Sequence, residues 1–391
     1  MANHPAAGTE EEFHDDIIYP HTIPFILVHL ACLGALWTGV TVEALVVCAI
    51  LYVVRMFGVT AGYHRYFSHR SFKTSRAGQF VLAWLAQSSA QRGALWWAAV
   101  HRHHHLHSDT EEDAHSPRHR GFVYSHVGWI FDRRHSETET EAVPDLARYP
   151  EMRWLDRVQL LPAVLLGVAC WVFGGWGMLV VGFFWSTVLL YHGTFFINSL
   201  AHVHGTQRYV TGDDSRNNWW LALITLGEGW HNNHHAYQRS TRQGFRWYEV
   251  DPTYYALKAM SWVGLAWDLG EPPADVVANE RKLGAKVVEK VARQLAASFP
   301  ADRIAAQAAA VLASRPDFHE LEARLRAAGA QAAAVLARIE LPHVPTLDEV
   351  RRYAEHTLAQ TPSLDQIAER ARQLVMEAVA HRLLEQRPSP A

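Results

Sequence analysis

Between residues 160 and 207 the chain contains no Asp, Glu, Lys or Arg. A surface helix needs a polar stripe opposite its apolar one, so a stretch of this length must lie in a very large core or in a bilayer. A membrane-spanning helix takes about 20 apolar residues. The "GGWG" at 174–177 divides the stretch into two such lengths, since paired glycines mark a turn. A second apolar region, 23–37 and 44–60, carries one charge, Arg55, and has a plausible turn at 39–43. The expectation is an all-α integral membrane protein with four spans in two hairpins, at about 23–38, 44–60, 158–174 and 176–198. Composition agrees: hydrophobic residues make up 49% and charged residues 19%, below the usual quarter.

An even number of spans puts both termini and the long segment 61–157 on one side. That segment opens with Arg65, Arg70, Lys73 and Arg76, whereas the two short turns on the other side hold no Lys or Arg. By the positive-inside rule the segment and the termini are cytoplasmic, and the expected location is a bacterial inner membrane. Residues 1–19 read as an acidic tail with Glu10, Glu11, Glu12, Asp15 and Asp16 and no Lys or Arg, so no signal peptide is expected. The membrane domain is expected over 20–269. From 270 to 391 the composition turns to Ala, Arg and Glu at helical spacing, broken by Pro300, Pro316, Pro342, Pro345 and Pro362, which predicts a soluble helical extension. "QAAAVLA" occurs at 307–313 and again at 331–337, too short an echo to establish a repeat.

A net charge of -3 gives no basic face for nucleic acid. Cys32, Cys48 and Cys170 form no CxxC pair, which excludes a readable disulfide framework or thiolate metal site. The anomaly is histidine, with 25 copies. "HRYFSH" (64–69), "HRHHH" (101–105) and "HNNHH" (231–235) flank the apolar hairpins on the same predicted side. Positions i, i+3 and i+4 share a helix face, so His101, His104 and His105 converge while His103 and His107 turn away. "HNNHH" keeps histidine only at the equivalent positions, His231, His234 and His235. "NSLAH" adds Asn198 and His202, again i and i+4. With His64 and His69 these make nine histidines, more than one tetrahedral ion can take and close to two metals with four or five ligands each. Imidazole suits zinc, copper, iron and nickel alike, so the ligands do not name the metal. Isolated histidines, His14, His21, His29, His115, His119 and His192, are expected to be packed or surface residues. Three clusters of related spacing argue against a low-affinity metal-buffering tract.

At these residues the chain resembles the membrane fatty acyl desaturases of the stearoyl-CoA desaturase type. The resemblance is carried by "HRYFSH", by "HRHHHLHSDTEEDAHSPRHRGFVYSHVGWIF" (101–131), by "NSLAH" and by "GEGWHNNHHAY" (227–237), and covers roughly residues 20–265. It implies four transmembrane helices capped by a cytosolic domain that holds two irons. The ligands would be His64, His69, His101, His104, His105, His202, His231, His234 and His235, with Asn198 acting through water. It implies an oxidoreductase that uses O2 and two electrons to place a cis double bond in a saturated long-chain acyl group. Side-chain acids and bases cannot remove hydrogen from unactivated methylenes, so a cofactor must supply the oxidising power. The acyl chain would lie in an apolar tunnel to which Trp84, Trp96, Trp97 and Trp230 contribute.

The chain has no haem-binding "HPGG", no GxGxxG and no clustered cysteines, so a separate ferredoxin, rubredoxin or cytochrome with its reductase is the expected donor. The expected substrate is a long-chain acyl-CoA desaturated at position 9. In the animal acyl-CoA enzymes an Arg-Asp pair stands just before the second cluster; here those positions are Ala99 and Val100. Arg92, Arg102, Arg118, Arg120, Arg133 and Arg134 are the basic residues left to meet phosphates, and an acyl lipid or acyl carrier protein stays open as the substrate. A di-iron hydroxylase of alkanes or acyl chains is the rival enzyme. A metal transporter is disfavoured, because 160–190 has no ionisable side chain but Cys170.

Overall fold

The computed structural model describes residues 23–132, 134, 136–313, 323–324, 327–328 and 344–385. The acidic tail, His14, His21, Arg133 and the second "QAAAVLA" lie outside the described residues. Among those described the chain is helical, with only isolated bridges such as Lys73 to Trp267 and no strand.

The apolar helix Ile23–Thr38 stops at Gly39, whose φ of 68° is one that glycine adopts at little cost. Thr41 then caps the next helix, its hydroxyl accepting the Ala44 N–H at 3.2 Å. That helix, Val42–Ser68, is long and apolar enough to cross a membrane, as is Leu161–His202. The second of these breaks where the sequence predicts, at Gly175 (φ 68°, ψ -164°), and its two arms pack on each other through Ala163, Cys170 and Phe183.

Val42–Ser68 does not end near residue 60 as the hydropathy pattern suggests. Its last eleven residues, Gly58–Ser68, are wound as π-helix, all of them buried. This wider winding, frequent at functional sites, carries the chain from the apolar region into the histidine cluster without a loop. Two glycines allow the helix Arg76–Gln87 to cross it closely. A Cβ on Gly58 would stand 2.8 Å from Leu85 Cγ and 3.0 Å from the Ala86 amide nitrogen, and one on Gly62 3.1 Å from the Leu82 carbonyl oxygen.

Arg55, the single charge in the first apolar region, is fully buried. Its guanidinium donates to the Leu51 carbonyl at 3.1 Å, the Ser88 carbonyl at 3.2 Å and the Thr187 hydroxyl at 2.8 Å, and also reaches Ser186 and the Phe183 carbonyl. A charge so deep in apolar surroundings persists only where every donor is matched. Here the match ties three helices together.

After the histidine segments, the helices Ala285–Ala297, Leu347–Thr357 and Leu364–Glu385 share a core around Val291, Leu295, Val350, Ala354, Ile367 and Ala371, and the helix Ala301–Ala313 packs Ile304 and Ala305 against Val375 and Val379 of the last helix. Thr346 and Glu349 form a capping box at the start of Leu347–Thr357. Val210, from the loop after the last apolar helix, is part of this core.

The crossing at Gly58 predicts a stability effect. Gly58→Leu overpacks a contact whose far side is backbone, at a cost of about 1–3 kcal/mol, and should lower the thermal midpoint in detergent by several degrees. Gly177→Ala, where a Cβ meets nothing within 4 Å, should leave it unchanged. Circular dichroism melts of the two variants check this, and equal midpoints would refute the close-crossing account.

Candidate metal centre

Each histidine segment has a local reason for its shape. His64 sits in the π-helical stretch, and His69 follows at its C-terminal end with its N–H on the His64 carbonyl at 3.2 Å. The helix Ala94–His107 puts His101, His104 and His105 on one face. His103 and His107 lie on the other, stacked with ring centroids 4.5 Å apart, and His107 pairs with Glu112. His202 closes the short 3-10 turn Leu200–His202, and the helix His231–Ala236 presents His231, His234 and His235.

The nine rings assemble as five and four. His64, His69, His101, His105 and His234 bring one ligand atom each to within 4.8 Å of one another, and so do His104, His202, His231 and His235. The groups adjoin, since the His105 and His235 ring centroids are 4.5 Å apart. Within the first group the Nε2 atoms approach pairwise: His64 to His234 at 3.0 Å, His234 to His105 at 3.0 Å, His105 to His101 at 3.0 Å and His101 to His69 at 2.9 Å. A neutral imidazole nitrogen either donates one proton or offers one lone pair, so four successive contacts through five nitrogens cannot all be hydrogen bonds. A cation among them removes the conflict. Nitrogens about 2.1 Å from an ion and at right angles around it stand roughly 3.0 Å apart, the spacing seen. In the second group His202 Nε2 and His231 Nε2 are 3.0 Å apart, and His235 Nε2 is buried with no hydrogen-bond partner among the described residues. Both donor sets therefore fit a bound metal.

Sequence reasoning missed the groups that aim these rings. Four histidines turn Nδ1 to a carboxylate: His64 to Glu228, His104 to Asp113 at 3.0 Å, His202 to Asp109 at 2.8 Å and His235 to Asp213 at 2.8 Å. Such partners fix the tautomer and leave Nε2 free for metal. Burial alone would raise the pKa values of Asp109, Asp113 and Asp213. The facing imidazoles and backbone amides outweigh it and hold all three well below the usual carboxylate range. Glu228 is likewise held down by His64 and by Arg65, which is fully buried and also pairs with Asp251 at 2.9 Å. Burial first, then the neighbouring imidazoles, pushes His69, His101, His105, His231 and His234 well below the ordinary histidine value. Neutral rings with free lone pairs are what a metal requires. The signal was present in "HSDTEEDAH" and "GDDS", acidic runs beside the clusters, but their pairing is long-range.

A cavity of about 230 Å³ reaches the centre, walled by Gln91, Arg92, Trp96, Trp97, Val100, His101, Thr194 and Asn198 among others. A smaller one beside it is lined by His64, His101, Trp97 and Asn198. A third, of about 430 Å³ and almost wholly apolar, shares Pro24, Ala90, Leu160 and Tyr191 with the first and extends to Trp171 and Trp176. Trp84 instead packs on Phe80 against the core, and Trp230 donates its indole N–H to the Val250 carbonyl at 2.8 Å. Arg92 has a φ of 73°, lies over the Trp96 ring at 4.7 Å and leaves its buried Nε without a hydrogen-bond partner among the described residues. The other basic candidates are taken: Arg102 by Asp145, Arg118 by Asp214, Arg120 and Arg134 by Asp132.

His115 is buried beside His104, and the His119 ring meets the Asp109 carbonyl at 3.1 Å. His29 and His192 form a row with His126, at 3.3 and 3.0 Å.

Alanine at His101, His104 or His105 is expected to cost the purified protein one of two metal equivalents, while His103→Ala keeps both. Metal analysis by mass spectrometry checks this, and an equal loss in His103→Ala would refute the assignment of faces.

The comparisons with known proteins agree with this arrangement. A family model for fatty acid desaturases matches residues 41–264. An acyl-CoA 5-desaturase of Anemone leveillei is 37% identical over 66% of this chain and 80% of its own length. An sn-1 stearoyl-lipid 9-desaturase of Anabaena variabilis is 36% identical over 64% of this chain and 93% of its own, and the delta-9 acyl-lipid desaturase 1 of Arabidopsis thaliana is 37% identical over 63% and 81%. The matched region contains all nine converging histidines and the four carboxylates behind them, and the chain belongs to the fatty acid desaturase family.

Proposed function

We propose that this chain places a cis double bond, at position 9, in a long saturated acyl group of a membrane lipid, using O2 and two electrons at two irons. The observation that carries the reading is the convergence of nine imidazoles, five and four, at the end of an apolar cavity. The ligands are His64, His69, His101, His105 and His234 on one side and His104, His202, His231 and His235 on the other, with Asn198 contributing through water. The irons, when bound, supply the oxidising power that no side chain has.

The residues themselves bind, orient and exclude water. Trp96, Trp97, Val100 and Phe195 hold the acyl chain so that one carbon–carbon bond faces His101 and Asn198, and an aligned near-attack position is worth several kcal/mol of barrier. Glu228, Asp109, Asp113 and Asp213 keep the imidazoles from turning. Four spans, made by Ile23–Thr38, Val42–Ser68 and the two arms of Leu161–His202, put the centre and both termini on the cytoplasmic face of a bacterial inner membrane. Electrons come from a separate ferredoxin, rubredoxin or cytochrome.

The walls favour a lipid over the thioester. Arg92 is the one Lys or Arg among the described residues lining the cavity beside His101, too little positive charge for a multiply phosphorylated carrier. The third, apolar cavity opens beside Val164, Val168 and Trp171, which are exposed on the apolar outer surface, so a chain can enter sideways from the bilayer. The acyl-CoA alternative, which follows from the resemblance to the stearoyl-CoA desaturase type, is supported by two acyl-CoA desaturases of Anemone leveillei among the relatives.

Expression in a desaturase-deficient host, followed by lipid profiling, should show a new cis alkene at position 9. Purified protein with a reconstituted donor should desaturate labelled phospholipid in vesicles at least tenfold faster than the matching acyl-CoA. The reverse preference would overturn the lipid assignment, and an oxygenated product in place of an alkene would overturn the desaturase reading.

A further inference from the structure

The two metal positions are anchored differently. Behind the five-histidine group stand Glu228, Arg65 and Asp251, a buried network wholly within the matched region 41–264. The four-histidine group depends on two loops. One carries Asp109 and Asp113, which hold His202 and His104; the other carries Asp213, which holds His235. The loops are joined where the Asp214 N–H donates to Asp109 Oδ2 at 2.7 Å.

Both loops are gripped from behind by the helix Ala285–Ala297, which lies beyond the matched region. Lys290 Nζ donates to the Ser108 carbonyl, next to Asp109, and Gln294 Nε2 donates to the Gly212 carbonyl at 3.0 Å, next to Asp213. Gly212 takes a φ of 80°, and a Cβ there would meet Lys290 Cδ at 3.2 Å and Val291 at 3.5 Å. Val210 is buried in the core of the C-terminal helices. One helix face therefore fixes the peptide units flanking two of the three carboxylates that orient the four-histidine group.

We infer that Lys290 and Gln294 are positioning residues for the four-histidine metal position, so that the C-terminal helices set the affinity of that position and leave the five-histidine position alone. The inference rests on the two-metal reading above. Groups behind a metal-bound histidine are typically worth 10- to 100-fold in affinity. Lys290 and Gln294 act one step further out, through the backbone, on two such groups at once.

The test uses full-length protein in detergent, stripped of metal and titrated with cobalt(II), with bound metal per chain and visible absorption as readouts. The wild type should take two equivalents. A Lys290→Met, Gln294→Met double variant should keep the first at wild-type affinity and bind the second at least tenfold more weakly. The band it loses should be the one lost in Asp213→Asn and kept in Glu228→Gln. Lys290→Arg, which retains a donor, should restore the second site to within a few-fold when Gln294 is intact. Arg293→Ala, an exposed change on the same helix, should bind as wild type does. Should the double variant lose its helical circular dichroism, Gln294→Met alone decides by the same bands.

Two tight equivalents in the folded variant would overturn the inference, as would equal weakening of both sites. A wild-type chain that takes fewer than two equivalents would overturn the two-metal reading and this inference with it.

Discussion

Nine imidazole lone pairs aimed at two small volumes are mutually repulsive until a cation sits among them, and the buried polar residues around them hold them there. The rings are buried or half-buried and crowd to about 3 Å, so left to themselves they would rotate apart or take up protons. Four carboxylates stop the rotation by accepting the Nδ1 protons. Those carboxylates are themselves buried charges, a costly state unless paired and hydrogen-bonded. Arg65 answers this for Glu228 and Asp251, while backbone amides and hydroxyls answer it for Asp109 and Asp213. The site is thus three layers deep, and its outermost layer is ordinary fold.

The innermost layer was legible in the sequence because it is local. Helical spacing alone sorts "HRHHH" into three converging rings and one diverted one, and "HNNHH" repeats the pattern with asparagine at the diverted places. The structure gives His103 a partner in His107, a contact at i+4 that the same arithmetic contains. The carboxylates were not legible. Asp109 and Asp213 stand in loops about a hundred residues apart, and nothing in the spacing of either loop says which histidine it will face. The asparagines of "HNNHH" carry the same lesson. Asn232 accepts the Arg208 and Tyr209 N–H groups, and Asn233 bonds Asn217 and Glu249, so the two residues between the converging histidines hold the helix against the 208–217 loop.

The apolar frame was legible for the opposite reason, that its signal is a sum over many residues. Absence of charge over residues 160–207 and the glycines at 174–177 predict a broken apolar helix, and Gly175 provides the break. Hydropathy reads the second apolar helix eight residues short, because its continuation through Tyr63, Arg65 and Tyr66 is polar in composition. Those residues are buried by the helices Arg76–Gln87 and Ala94–His107 that pack over them, a tertiary fact. Arg55 is the converse case: a charge that would argue against a span is absorbed by carbonyls and hydroxyls supplied from helices far along the chain.

The asymmetry of the two histidine groups matches where the cavity lies. His64 and His101 line the cavity walls together with Asn198, and both belong to the five-histidine group. The group that borders the cavity is the one exposed to whatever enters it, and its support is a buried Arg-Glu-Asp network that includes the end of a long apolar helix. The four-histidine group stands behind it, touching it through His105 and His235, and leans on loops held by the helix Ala285–Ala297, outside the matched region. The contacts from Lys290 and Gln294 therefore reach only the four-histidine group, while the histidines that line the cavity are held from within the matched region.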